Sequence, residues 1–296
     1  MKKLFFLMNP YAGTQRANRV LTDIIRLFNS RGYAVMVHMT AGPGDGAKVV
    51  SQQGKDADLI VCAGGDGTFN ETITGLLRSG LETPVGYIPC GSTNDFANSL
   101  HLPTNPIQAA QAIVDGTPEP YDVGRFGQRY FSYVASFGAF TRASYATPQN
   151  LKNLLGHLAY VLSGVKELFQ IPKLQVAFDT DAGSFAGDYI FGAVSNSTSV
   201  GGILSLDPNV VDMQDGKFEL MLVRPPKDAG ELISLVSALT SQRYVSPVLT
   251  FKTVRRLTVR TETQIDWTLD GEHAAGQPTI DIENLHHAIT LVRGGK

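Results

Sequence analysis

The sequence predicts an α/β domain built on a parallel sheet, followed by a second domain of mostly antiparallel β-structure. Before about residue 120, short apolar runs alternate with helical patterns. Beyond it, β-branched and aromatic runs follow one another between Gly, Asp and Pro turns. With 296 residues the chain is also long enough to bury two cores.

The first strand is expected at 4–8, where Leu4-Phe-Phe-Leu-Met8 runs into Asn9-Pro10. A helix follows at 17–29, with Val20, Leu21, Ile24, Ile25, Leu27 and Phe28 mostly at helical spacing. Further strands are predicted at 33–39, 59–62 and 85–89, and helices at 45–53, 69–78 and 106–114. This is the βαβ rhythm of a sheet covered on both faces. In the second part, strands are expected at 174–178, 189–194, 218–223 and 257–259, and helices at 151–169 and 229–239. The first of these helices has apolar residues at 151, 154, 155, 158, 162, 165 and 169, one face that suits core packing better than a membrane bed, because few basic residues line the other.

Composition excludes several function classes. A net charge of −2 gives no global field for nucleic acid. Two cysteines, Cys62 and Cys90, neither staple a domain nor build a metal knot, and read as buried thiols of a reducing cytosol. The apolar start of the chain stops at Asn9-Pro10, too early for a secretory leader, and no later run is long enough to span a bilayer. The expected location is the cytoplasm, with any membrane contact made from the inner surface.

In open parallel sheets ligands settle beyond the carboxyl ends of the strands. Three loops fall there: Asn9-Pro10-Tyr11-Ala12-Gly13, Gly64-Gly65-Asp66-Gly67-Thr68 and Gly91-Ser92-Thr93-Asn94-Asp95. Glycines admit a ligand close to the backbone, and the amides of a following helix suit phosphate. Asp66 would repel a phosphate unless a cation intervenes, and Mg²⁺, held by carboxylates and phosphate oxygens, resolves the conflict. The alternative is a Gly-rich turn with Asp66 as a helix N-cap. No Walker loop occurs, and Gly42-Pro-Gly-Asp-Gly-Ala47 reads as a turn opening a helix.

Downstream, Leu269-Asp270-Gly271-Glu272 places a carboxylate at a tight turn, where it can be aimed as a general base or serve as an ordinary surface turn. The histidines show no metal-ligand spacing, and His286 and His287 would point to opposite faces of a strand.

Taken together, Asn9–Gly13, the run Gly64-Gly-Asp-Gly-Thr-Phe-Asn-Glu71, Gly91-Ser-Thr-Asn-Asp-Phe-Ala97, Tyr121-Asp-Val-Gly124, Asp215-Gly-Lys-Phe218 and Leu269-Asp-Gly-Glu272 resemble the diacylglycerol kinase catalytic family, in particular its bacterial lipid kinases. The ordered set covers nearly the whole chain. The resemblance implies a Rossmann-like α/β domain at 1–125, a β-sandwich lipid-substrate domain at 126–275 and a C-terminal segment, 276–296, that packs back on the first domain, with the active site in the cleft. It implies ATP contacts at Asn9, Pro10, Tyr11, Ala12, Gly13, Thr40, Gly65, Asp66, Gly67, Thr68, Phe69, Asn70, Glu71 and Ser92. It also implies an acidic network of Asp66, Asp95 and Asp122 near Mg²⁺, Glu272 as base, and a structural Mg²⁺ at Asp212, Asp215 and the Lys217 carbonyl. Thr14 and Ser163 stand where family members often carry a cation, with Arg16 and Lys166 nearby.

The expected reaction is γ-phosphoryl transfer from ATP to a lipid hydroxyl, most readily that of diacylglycerol. An NAD kinase-type activity and a non-catalytic nucleotide or lipid sensor are the alternatives. The expected partners are a lipid substrate and a transiently touched membrane surface, with no nucleic acid; a homodimer through an exposed strand edge is left open.

Overall fold

A computed structural model describes residues 1–13, 16–139, 171–200 and 204–294. The helix expected at 151–169, with Ser163 and Lys166, lies outside the described residues, as does Thr14. The chain divides into two compact units, Met1–Val123 with Leu285–Lys296, and Gly124–Asn284.

In chain order the first unit contains β1 (Lys2–Met8), α1 (Arg16–Ser30), β2 (Tyr33–Met39), α2 (Asp45–Gln53), β3 (Leu59–Gly64), α3 (Asp66–Ser79), β4 (Val85–Pro89), α4 (Asp95–Ser99), α5 (Pro106–Val114) and most of β5 (Thr117–Phe126). The second adds β6 (Arg129–Phe131), β7 (Val134–Gly138), β8 (Leu174–Thr180), β9 (Gly183–Tyr189), β10 (Phe191–Ser195), β11 (Ser199–Val200), β12 (Leu204–Ser205), β13 (Phe218–Val223), α6 (Ala229–Thr240), β14 (Leu249–Val254), β15 (Arg256–Thr261), β16 (Asp266–Leu269) and β17 (Glu272–Ala275). The last strand, β18 (Thr279–Arg293), begins in the second unit and ends in the first.

The first unit is a parallel sheet in the order β2-β1-β3-β4, and β4 takes the end of β18 through the parallel pair Val85–Leu291. β1 is buried from Leu4 to Met8 and β3 throughout, because helices cover both faces and every side chain needs to be apolar. Phe6, Ile24, Phe28, Val61, Ile88 and Ile113 meet in its core. Local chemistry sets the helix ends. Asn105 accepts from the N–H groups of Ile107 and Gln108 to start α5, with Pro106 in the first turn. Gly80, at φ 64°, closes α3 by donating to the carbonyls of Leu76 and Leu77.

The second unit is a sandwich. One antiparallel sheet runs β14-β13-β10-β7-β16-β17, and the other joins β9, β8, β15 and the first half of β18. Phe137, Leu220 and Trp267 from the one interdigitate with Phe178, Val259 and Ile282 from the other. The single strand expected at 189–194 is broken in two. Tyr189 closes β9 and Phe191 opens β10 in the facing sheet, with Ile190 at the crossing. An apolar run that stays buried on both sides of such a step carries no periodic mark of it.

Candidate functional site

The sheet order reverses direction between β1 and β3, since the chain leaves β1 for β2 on one side and returns to β3 on the other. Ligands in such sheets bind beyond the carboxyl ends at this switch point. The first two Gly-bearing loops leave from these two strands. Asn9 ties them together: its N–H donates to the Ala63 carbonyl at 2.9 Å, and its side-chain amide donates to Thr68 Oγ1 at 3.3 Å. Its Oδ1 accepts from Tyr11 N at 2.9 Å, which shapes the turn through Pro10. Thr40 is anchored beside it by an N–H bond to the Met8 carbonyl.

The loops are packed too closely for side chains. At Gly13, φ is +50° and a Cβ would lie 2.2 Å from the Cys90 carbonyl oxygen. At Gly91 a Cβ would lie 2.6 Å from the Cα of Gly65. Only glycine fits either place, and the result is a backbone-lined cradle followed by α3, whose N-terminus has no side-chain cap. Asn94 folds back on the third loop, accepting from Gly91 N at 2.8 Å and donating to Gly91 O at 2.9 Å.

Gly65, not Asp66, is the N-cap of α3. Its carboxylate, 7% exposed, accepts from the N–H groups of Asp95 at 3.0 Å and Phe96 at 3.3 Å and from Thr93 Oγ1 at 3.3 Å. It therefore fixes the third loop against the second. Asp95 is itself buried at the start of α4. Other residues of the same run face elsewhere. The Glu71 carboxylate accepts from Gly44 N at 2.6 Å and Gly46 N at 2.8 Å, which closes the N-terminus of α2. The Phe69 ring is fully buried and packs on Tyr87 at 4.4 Å and Phe96 at 4.6 Å. Asn70 accepts from Thr74 along α3, and Gly67 is half-buried in the first turn. Tyr11 and Ser92 are exposed, whereas Ala12 is buried. Burial pushes the thiols of Cys62 to about 12 and Cys90 to about 11, so neither is poised as a nucleophile.

Asp122, on β5, is buried and accepts from the His287 N–H at 2.8 Å. The expectation that His286 and His287 face opposite ways is overturned. His287 takes φ +54°, which breaks the alternation of β18, and the two imidazoles lie with centroids 3.7 Å apart.

In the second unit Glu272 opens β17 on a two-residue hairpin. Asp270 and Gly271 take φ 49° and 82°, positive at both central residues as the type I′ turn requires. Sequence reasoning missed the role of Asp270. Its carboxylate, buried, accepts from Ser132 N at 2.6 Å, Ser132 Oγ at 2.8 Å, Tyr133 N at 3.0 Å and Val134 N at 3.1 Å. Burial still pushes its carboxyl above the ordinary range.

Asp212 and Asp215 each accept from the backbone two residues on, Gln214 N and Lys217 N, both at 2.9 Å. The Lys217 carbonyl accepts from Asn284 Nδ2 at 2.9 Å. Two neighbours were not anticipated. Glu219 is 2% exposed, and its Oε2 finds no hydrogen-bond partner among the described residues; the same is true of Asn284 Oδ1. Burial and the charge of Asp215 push the Glu219 carboxyl to about 8. Carboxylates, a carbonyl and an orphaned buried oxygen are the donor set of a hard divalent cation, so these residues fit Mg²⁺. An acid inside the apolar run Phe218-Glu-Leu-Met-Leu-Val223 was the available signal for Glu219.

Comparison with known proteins covers nearly the whole chain. Residues 3–126 match the model of the diacylglycerol kinase catalytic domain, and residues 134–293 match that of the YegS C-terminal NAD kinase beta sandwich-like domain. A diacylglycerol kinase from Bacillus subtilis is 31% identical over 294 residues, covering 99% of this chain and 96% of the relative. One from Staphylococcus saprophyticus is 29% identical, covering 94% and 91%. Among solved structures, a diacylglycerol kinase from Bacillus anthracis superposes with a TM-score of 0.75 at 21% identity, covering 99% of this chain and 97% of that one. A further chain from the same organism gives 0.80 at 24% identity, with coverage of 99% and 95%.

Proposed function

The chain belongs to the diacylglycerol kinase family and is a kinase, and from that premise we propose that it transfers the γ-phosphoryl group of ATP to a lipid hydroxyl, with diacylglycerol as the acceptor and phosphatidic acid as the product. The observation that carries this reading is the glycine cradle at the β1/β3 switch point, where a Cβ at Gly13 or Gly91 would strike backbone. Such a cradle suits a polyphosphate held by backbone amides. Among the described residues no helix is long and apolar enough to cross a membrane.

When bound, Mg²⁺ would neutralise charge on the phosphates and steady the loop at Asp212, Asp215, Lys217 and Glu219. The remaining work falls to the chain. Asn9–Gly13, Thr40, Gly65–Glu71 and Ser92 form the nucleotide side, with Glu71 and Phe69 contributing through the backbone they hold. Asp66 keeps the third loop in register with the second, and Asp95 and Asp122 extend the acidic set. We assign Glu272 as the base that takes the hydroxyl proton as the acceptor oxygen bonds to phosphorus and ADP departs. Positioning dominates such transfers, so losses at these residues should overlap rather than add.

The test is incubation of the purified chain with Mg²⁺, labelled ATP and mixed micelles containing diacylglycerol, a sphingoid base, a polyprenol or phosphatidylglycerol, beside NAD. Labelled phosphatidic acid is expected, strongly reduced with Asp66→Ala and with Glu272→Ala, and the double variant should be little worse than either single one. Labelled NAD phosphate, or ATP binding with no transfer to any lipid, would overturn the reading.

A further inference from the structure

We propose that Asp122, His286 and His287 form a binding site for a divalent transition metal of the zinc class. A carboxylate oxygen of Asp122 and one ring nitrogen from each histidine lie within 4.8 Å of one another. All three belong to one compact unit, and they come from two neighbouring strands, β5 and β18. The donor set separates this site from the all-oxygen one around Asp215. Imidazole nitrogen suits Zn²⁺, Cu²⁺, Ni²⁺ or Fe²⁺, whereas Mg²⁺ takes oxygen. Two histidines and one carboxylate leave room for a water or an exogenous ligand, as in open zinc sites.

Backbone geometry supports the convergence. Regular strand alternation would send neighbouring histidines to opposite faces. At His287 the chain instead takes φ +54°, which brings the rings to 3.7 Å, and its N–H bonds to Asp122 Oδ1 at 2.8 Å. The carboxylate is thus oriented by the same residue that supplies a ligand, the kind of support that metal ligands commonly receive from their surroundings. Both histidines are exposed while Asp122 is fully buried, so a metal can enter from solvent and meet a fixed carboxyl ligand. The proposal does not rest on the kinase reading.

Isothermal titration with Zn²⁺ and visible absorption with Co²⁺ test it on the full chain. One equivalent should bind saturably, with the d–d bands of a nitrogen-containing site. His286→Asn and His287→Asn should each weaken binding at least tenfold; asparagine tolerates the positive φ, so the backbone at 287 is kept. His38→Asn and His273→Asn, which alter two imidazole–carboxylate pairs elsewhere (with Asp45 and Asp266), should leave it unchanged. Zn²⁺ should raise the unfolding temperature of the unaltered chain but not of His287→Asn. Absence of saturable binding at micromolar Zn²⁺, or full binding by the folded His286→Asn/His287→Asn double variant, would overturn the proposal.

Discussion

Replacing Asp270 by alanine takes the acceptor away from three backbone N–H groups, those of Ser132, Tyr133 and Val134, and from the Ser132 hydroxyl. The segment is buried, so water cannot substitute. Each orphaned amide costs about 1–3 kcal/mol, or about 3–9 kcal/mol together. Removing the carboxyl also removes its desolvation cost and returns part of this, but the net loss is still large against a domain stability of about 5–15 kcal/mol. Asp270→Asn is the gentler change. Its remaining oxygen can serve Tyr133 and Val134 while its NH₂ faces the Ser132 donors, so the expected cost is about 1–3 kcal/mol. The pH dependence has a definite sign. Burial raises the folded-state carboxyl of Asp270 above its ordinary value. Stability from this group is therefore fullest below the ordinary carboxylate value and falls as pH rises from there through the raised folded-state value, so the advantage of the wild type over Asp270→Asn should shrink as pH climbs out of the acid range. Urea denaturation at several pH values measures both effects. An Asp270→Ala protein with an unchanged midpoint and slope would refute the reasoning.

Gly91→Ala should abolish nucleotide binding while costing about 1–3 kcal/mol of stability, because its Cβ meets the Gly65 backbone rather than a mobile side chain; fluorescent-nucleotide titration beside thermal melting would separate the two. At the oxygen-lined site, Glu219 keeps its proton up to about 8 when no cation is bound, so in chelator the protein should lose stability as pH climbs from about 4.5 to 8. Glu219→Gln should flatten that slope, and Mg²⁺ should stabilise the wild type more at pH 8 than at pH 6, as read by melting curves.

The α/β half was legible because its signals are local. The buried runs of β1 and β3, Pro106 after Asn105 and Gly80 after α3 each declare themselves within a few residues. The Gly-rich loops were legible for the same reason, as was the Asp270-Gly271 turn. What stayed hidden depends on partners distant in sequence. Nothing near Asp66 announces that its carboxylate will serve the amides of Asp95 and Phe96, and nothing near Glu71 names Gly44 and Gly46. The break at Ile190 was invisible because burial on both sides erases periodicity. His287 was misjudged because positive φ at a histidine within a strand is a tertiary outcome, enforced by a hydrogen bond to Asp122.

Strand β18 has a consequence for how the chain is made. β4 pairs through Val85 with Leu291, and all of the sandwich lies between them in sequence. A ribosome delivers the first four parallel strands early, yet their sheet keeps an open edge at β4 until the whole intervening unit has emerged. Closure of the α/β sheet at that edge is therefore a late, non-local and correspondingly slow event.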